Sequence, residues 1–304
     1  MFDKSMALLI LKSLAFIIGH LPLGVIFFLG KILGALAYRL DKKRRNIALE
    51  NIKRAYGSAI SQERAEDIAK KSLICLATMF FEFLRMPWIK KDDLNKYFEC
   101  EGIEHLQNAL SRKKGVIMLT AHLGNWEYIG AFFGLSGYTL DVVIRDADSP
   151  LFDEFIRWAR TRCANTMVSK RRAMRRLIKR LNEDAIAIIL LDQNVARAEG
   201  VFVDFFNAPA CTNKGPALLA SATGASVVPA FIIRNGKGHR VIIKPEIPIA
   251  NTGDKAGDTI ENTRRFTKAI EDMIRERPEE WFWVHRRWKT RPSKEEKNQP
   301  PAAE

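Results

Sequence analysis

The sequence is poor in the groups that build metal centres and disulfide frameworks. Its four cysteines, Cys75, Cys100, Cys163 and Cys211, are far apart and form no CxxC pair, so neither a zinc ribbon nor a disulfide scaffold is indicated and a reducing compartment is expected. The five histidines, His20, His105, His122, His239 and His285, are equally scattered. There is no HExxH and no pair at helical spacing that would share an ion, so no metal is expected. The GxSxG elbow of serine hydrolases is missing, as are RNP, helix-turn-helix and zinc-finger signatures and any internal repeat. Acidic residues are also scarce: 35 Asp and Glu stand against 49 Lys and Arg, a net charge of +14 on 304 residues of which 47% are hydrophobic. Such a chain buries a large core, which excludes a disordered basic tail. The charge calls for an anionic partner: nucleic acid, a membrane surface, an acidic protein or a phosphorylated substrate.

The apolar residues are concentrated first at the amino terminus. From Ser5 to Tyr38 the only formal charges are Lys12 and Lys31, and 18 residues separate them. A spanning helix needs about 20 predominantly apolar residues, so this run crosses a bilayer only if a lysine snorkels to the interface. Gly19-His20-Leu21-Pro22 kinks the run or divides it into two shorter helices that dip into one leaflet. Lys42-Lys43-Arg44-Arg45 follows, and the positive-inside rule then puts the remainder in the cytoplasm. Ala35-Leu36-Ala37 resembles a signal-peptide cleavage site, but the run is too long for an h-region and contains Lys31. A buried core hairpin is the other alternative to membrane attachment. Residues 1–45 are therefore read as anchor and basic stop, 46–291 as the main domain and 292–304 as a disordered tail.

Beyond the basic stop, a helical pattern runs from Gln62 to Met86. Short apolar runs then alternate with helical stretches. Gly115 to Thr120, Asp141 to Ile144, Ala185 to Leu191 and Val227 to Ile233 read as strands. Trp126 to Phe133, Leu151 to Arg162, Arg171 to Leu181, Lys214 to Ala222 and Thr259 to Arg277 read as helices. Continuous Val/Ile/Leu runs between helices predict an α/β fold, a mixed, mostly parallel sheet whose strands are buried on both faces and flanked by helices.

The first of these strands ends in Ala121-His122-Leu123-Gly124-Asn125-Trp126-Glu127, and functional groups of open α/β sheets collect at strand ends. Gly124 suits a tight turn, Asn125 a helix N-cap, and Glu127 the first helical turn. A turn of this kind can bring the Glu127 carboxylate to the His122 ring, fixing its tautomer and leaving the second nitrogen as a base. The same residues also fit a structural turn histidine and an acid favoured by the helix dipole. Asp192 and Gln193 follow another strand and are candidates for substrate binding or for bridging loops. Between Arg157 and Arg180 stand ten basic residues and no acidic one, a solvated helix face or a surface for phosphates and an acidic protein. Arg145, near a strand end, and Arg162 are candidate phosphate contacts. Trp281, Trp283 and Trp288 suit core or interfacial packing.

The string His122 to Glu127 resembles the HxxxxE/D motif of the lysophospholipid acyltransferase superfamily, in the HxGNWE form of bacterial lipid A late acyltransferases. Ile144 to Arg162, Leu191-Asp192-Gln193, Phe205 to Thr212, Thr223-Gly224-Ala225 with Val228-Pro229, and Pro278 to Lys289 resemble that family in its order. Asn207 stands where the family often has Gly, and Asp204 where it often has Pro. The resemblance implies transfer of a fatty acyl group from a thioester, on acyl carrier protein or coenzyme A, to a hydroxyl of a phosphorylated glycolipid such as a lipid A precursor. His122 is then the general base, Glu127 its orienting carboxylate, and Asn125, Arg145, Arg162, Asp192 and Gln193 substrate contacts, with no cofactor and no nucleic acid. The implied location is the cytoplasmic side of the bacterial inner membrane. Another glycolipid or a lysophospholipid as acceptor, and a non-enzymatic basic membrane scaffold, are the alternatives.

Overall fold

The computed structural model describes residues 4–144, 149–169 and 173–293. Two apolar helices open the chain, α1 (Lys4–Gly19) and α2 (Leu23–Leu40), broken at His20 to Pro22 as the sequence anticipates. Proline and the preceding turn remove the hydrogen bonds that a continuous helix would need. The basic cluster is not a loop: it forms the first turn of α3 (Lys42–Tyr56). Cations are disfavoured at a helix N-terminus; here Asp41 offsets them, accepting the Arg44 backbone N–H at 2.9 Å and pairing with the Arg44 guanidinium at 2.8 Å. The long helix α4 (Gln62–Arg85) then lies beneath both apolar helices.

α2 approaches α4 through glycine. A Cβ on Gly30 would stand 2.2 Å from Thr78 Oγ1, and one on Gly34 would stand 2.4 Å from Ile74 Cα. Small residues one turn apart let the two backbones close up. The opposite faces of α1 and α2 stay uncovered, with Leu9, Phe16, Ile17, Phe28 and Leu40 all exposed. By length and composition α2 is able to cross a membrane.

After α5 (Leu94–Tyr97) the sheet begins. In sequence it runs β1 (Phe98–Glu101), α6 (Ile103–Leu110), β2 (Val116–Thr120), α7 (Trp126–Leu135), β3 (Leu140–Ile144), α8 (Pro150–Thr161), β4 (Asn165–Ser169), α9 (Ala173–Leu181) and β5 (Ile186–Leu190). A hairpin of β6 (Gly200–Phe205) and β7 (Ala208–Asn213) follows, then α10 (Gly215–Thr223), β8 (Ser226–Asn235), β9 (Gly238–Ile243) and α11 (Lys255–Glu276). The seven-stranded sheet has the order β1-β9-β8-β2-β5-β3-β4, with every pair parallel except β8 and β9. The mixed, mostly parallel sheet is thus present. Its central strand β2 is buried along its whole length, with Ile117 and Leu119 in one core and Val116 and Met118 in the other. That two-sided burial is the reason its sequence is uniformly apolar.

The hairpin turn explains one departure noted in the sequence. Phe206 and Asn207 both have positive φ, 53° and 57°, the left-handed pair that lets a two-residue turn match strand twist. Asn tolerates this region almost as Gly does. Phe206 does not, and it is held there by its backbone N–H on Glu271 Oε2 at 2.5 Å and by burial against Tyr56 and Trp283.

The glycine contact between α2 and α4 yields a paired test. Gly34→Ala is expected to lower the stability of the purified protein by about 1–3 kcal/mol, since backbone atoms of Ile74 cannot yield. Gly24→Ala, where nothing lies within 4 Å, is expected to leave stability unchanged or raise it by up to about 1 kcal/mol. Thermal unfolding of the two variants in the same detergent decides between them.

Candidate active site

The site follows from strand register. Thr120 of β2 lies opposite Leu190 of β5, and the Leu191 N–H still donates to the Thr120 carbonyl at 3.1 Å. Two residues further along both strands, His122 therefore stands beside Asp192. Asp192 Oδ1 meets His122 Nδ1 at 2.8 Å, while Asp192 Oδ2 accepts the His122 backbone N–H at 2.9 Å and the Trp281 indole N–H at 2.7 Å. Burial by itself opposes ionisation of Asp192. The His122 ring and the three hydrogen bonds outweigh it and hold the carboxyl at about 2. An ionised acceptor requires Nδ1 to carry the proton, which leaves the lone pair on Nε2. The Gln193 side-chain amide lies 3.2 Å from that nitrogen.

The turn after β2 is fixed from several sides. A Cβ on Gly124, whose φ is 58°, would collide with the Ile232 carbonyl oxygen at 2.2 Å, so only glycine fits. The Gly124 N–H donates to the Glu280 carbonyl, and the Phe282 N–H donates to the His122 carbonyl, each at 3.0 Å. Asn125 differs from expectation. It makes no side-chain cap on α7; it is buried, and its Nδ2 donates to Glu82 Oε2 at 3.0 Å. Glu82 also holds Arg234 through two bonds of 2.9 and 2.8 Å and lies 3.5 Å from His239 Nε2. Asn125 thus ties the turn to α4 and β8.

Glu127 is the larger difference. Its carboxylate is engaged by Arg160 of α8 in a two-pronged pair, Nε to Oε2 at 2.8 Å and Nη2 to Oε1 at 2.7 Å, so the carboxylate bonded to the His122 ring is Asp192, not Glu127. A fork against a carboxylate is a stronger partner for Glu127 than one imidazole N–H. Burial would lower the Arg160 pKa, but Glu127 raises it overall. His122, Glu127 and Arg160 remain neighbours all the same. Together with Trp126 they line one cleft of about 150 Å³, whose apolar wall is Val142, Ile144, Ile188 and Leu190. Its lining joins the polar His122, Glu127, Arg160 and Asn165 to that apolar wall, and so suits a ligand that carries polar groups beside an apolar part.

Of the remaining expected contacts, Gln193 lies at the histidine, whereas Arg162 is exposed with its Nε on the Pro87 carbonyl at 3.1 Å, outside the cleft. Arg145 lies outside the described residues, as do Lys170, Arg171 and Arg172 of the basic run. The rest of that run is largely committed to ion pairs, Arg157 with Asp153 and Arg180 with Asp141 and Glu183. Arg160 and Trp281 were missed as site residues. Arg160 is 33 residues from its partner and Trp281 is 89 from Asp192, and no local pattern marks either.

Residues 5–290 match the family model described as bacterial lipid A biosynthesis acyltransferase. A lipid A biosynthesis lauroyltransferase of Escherichia coli (strain K12) is 30% identical over 278 residues, which cover 90% of this chain and 88% of that protein. A lipid A biosynthesis palmitoleoyltransferase of the same strain is 28% identical over 280 residues, with the same coverage of 90% and 88%. A phosphatidylinositol mannoside acyltransferase of Mycolicibacterium smegmatis is 24% identical over 251 residues, covering 80% of this chain and 81% of that protein.

The Glu82 network predicts an acid-sensitive fold. Burial opposes the Glu82 charge, yet His239 and Arg234 hold its carboxyl at about 2, below the value of about 4.3 in an unfolded chain. A lowered folded-state pKa contributes stability that is complete above roughly pH 5 and is lost as the pH falls toward 2. Glu82→Gln is expected to cost about 1–3 kcal/mol at pH 7 by leaving the half-buried Arg234 without its charged partner, and to flatten the stability profile below pH 5. Denaturant titrations at pH 7 and pH 3 measure both effects.

Proposed function

The chain belongs to the bacterial lipid A biosynthesis acyltransferase family, and from that premise we propose that it transfers a fatty acyl group from a thioester to a hydroxyl of a lipid A-type acceptor, with His122 as the general base. One observation carries this reading. An imidazole held by the buried, ionised Asp192 lines a cleft together with the apolar side chains of Val142, Ile144, Ile188 and Leu190. An alcohol is a weak nucleophile near neutral pH, so His122 Nε2 takes its proton as the oxygen attacks the thioester carbonyl. Asp192 stabilises the imidazolium that results, in the role an aspartate has in serine-protease triads. The tetrahedral intermediate collapses with cleavage of the C–S bond. The imidazolium then gives its proton to the departing thiolate, and an ester and a free thiol remain.

Glu127 acts through Arg160 in this scheme. The fork at Glu127 uses Arg160 Nε and Nη2 and fixes a guanidinium at the polar end of the cleft, a cationic donor for the developing oxyanion. The Gln193 amide rests on His122 Nε2, and the entering hydroxyl takes over that contact. The apolar wall of Val142, Ile144, Ile188 and Leu190 receives the acyl chain.

The donor is acyl carrier protein or coenzyme A, met by the basic surface of α8 and α9. We place the enzyme at the cytoplasmic face of the inner membrane, attached through the uncovered apolar faces of α1 and α2 together with exposed Phe80 and Phe152. A second acceptor class is favoured by one relative, whose name specifies a phosphatidylinositol mannoside.

Purified His122→Ala is expected to lose at least about 10²–10⁴-fold in acyl transfer. Asp192→Asn, which leaves the geometry but not the charge, is expected to fall in the same range, with the thermal transition of each variant showing that the fold persists. Near-normal transfer by His122→Ala refutes the assignment. Mass spectrometry of membrane lipids with and without the gene identifies acceptor and acyl chain together.

A further inference from the structure

A second cleft lies on the other face of the sheet. It occupies about 250 Å³ between α9 and α10 and is lined by Met174, Leu177, Ile189, Pro216, Leu218 and Leu219. Side chains alternate along a strand, so Ile188 and Leu190 of β5 face the His122 cleft while Ile189 between them faces this one. Val142 and Ile144 of β3 likewise line the first cleft, and Val143 borders both. The two apolar cavities are therefore back to back across a single strand layer, at the same edge of the sheet. Ile189 pairs in register with Leu119, three residues before His122, which is about 10 Å along an extended chain.

The rim of the second cleft carries cations. Lys214 lines it together with Asn213 and Glu199, and Arg175 and Arg176 are exposed on α9 directly after Met174. Arg176 also pairs with Asp141 at 3.9 Å. Among the described residues, Arg175 and Lys214 enter no ion pair. Met174 and Leu218 are more than a third exposed in spite of their apolar character. An apolar slot with Lys214 in its lining and Arg175 exposed on the adjoining α9 matches an acyl chain attached to an anionic headgroup.

We propose that this cleft binds an acyl chain of the acceptor lipid, whose phosphorylated headgroup rests on Arg175, Arg176 and Lys214 while its free hydroxyl reaches His122. The proposal rests on the acyl-transfer reading above. With the donor's chain in the first cleft, an acceptor that already carries chains requires separate apolar surface within reach of the same histidine. The strand layer supplies that separation and keeps the two chains from competing.

The test uses the full-length enzyme and a lipid A precursor, an acylated disaccharide phosphate, with a diazirine at the end of one acyl chain. On photolysis, the label is expected in peptides of α9 and α10 and is expected to be reduced by Leu218→Trp. Labelling confined to α1 and α2 or to the His122 cleft, or labelling abolished equally by an excess of plain phospholipid, overturns the proposal. In steady state, Leu218→Trp is expected to raise the acceptor KM about tenfold, the effect of keeping one or two methylenes from apolar surroundings. The slow hydrolysis of the acyl thioester by water is expected to stay unchanged in this variant. An unchanged acceptor KM counts against the cleft. Loss of thioester hydrolysis in His122→Ala reports on the catalytic reading by itself, so failure of the two ideas is distinguishable.

Discussion

Asp192 is the group on which the geometry of the site depends. One buried carboxylate accepts the His122 ring N–H, the His122 backbone N–H and the Trp281 indole N–H, and so joins the ends of β2 and β5 to the aromatic segment that follows α11. A buried carboxylate deprived of any of these donors would be an uncompensated charge, which is costly in a low-dielectric interior. Its stability and its function thus have the same origin. The three donors that keep Asp192 ionised are also the contacts that set the orientation of the histidine, and Gly124, which alone fits under Ile232, lets the backbone make the required turn.

A second buried carboxylate supports the same turn from outside. Glu82 of α4 collects Arg234 and Asn125, coupling the helix beneath the apolar amino-terminal pair to the first residue before α7. The apolar pair and the strand end are therefore linked by one intervening helix. That arrangement gives the proposed membrane attachment a structural consequence: a surface that lies against α1 and α2 is held at a fixed position relative to His122. Much of the arginine-rich run is neutralised by partners such as Asp153, Glu127 and Asp141, and among its described residues Arg162 and Arg175 enter no ion pair.

Much of the fold was legible because the sheet is buried on both faces. The apolar runs around residues 115, 141, 185 and 227 all became strands, and the break at Pro22 separated two helices as expected. The strands that escaped notice are β1 and β4 at the sheet edges, β6 and β7 in the hairpin, and β9, an inner strand whose apolar run is shortened by His239 and Arg240. His122 was legible as a polar group at a strand end. Its partner was misjudged: Glu127, five residues away, looked the nearer carboxylate, while Asp192 is 70 residues distant in sequence.

By itself, then, the sequence determined the alternation of elements, the two-sided burial of the central strands, the position of the histidine at a strand end and the apolar character of the amino terminus. These are properties of local composition and period, and local patterns encode them. Only the tertiary structure decided which carboxylate the histidine meets, where Glu127 and Asn125 turn, and which cations remain free. Each of those depends on the β2–β5 register or on the docking of α4 and α8, and a pairing between distant segments leaves no periodicity in either one.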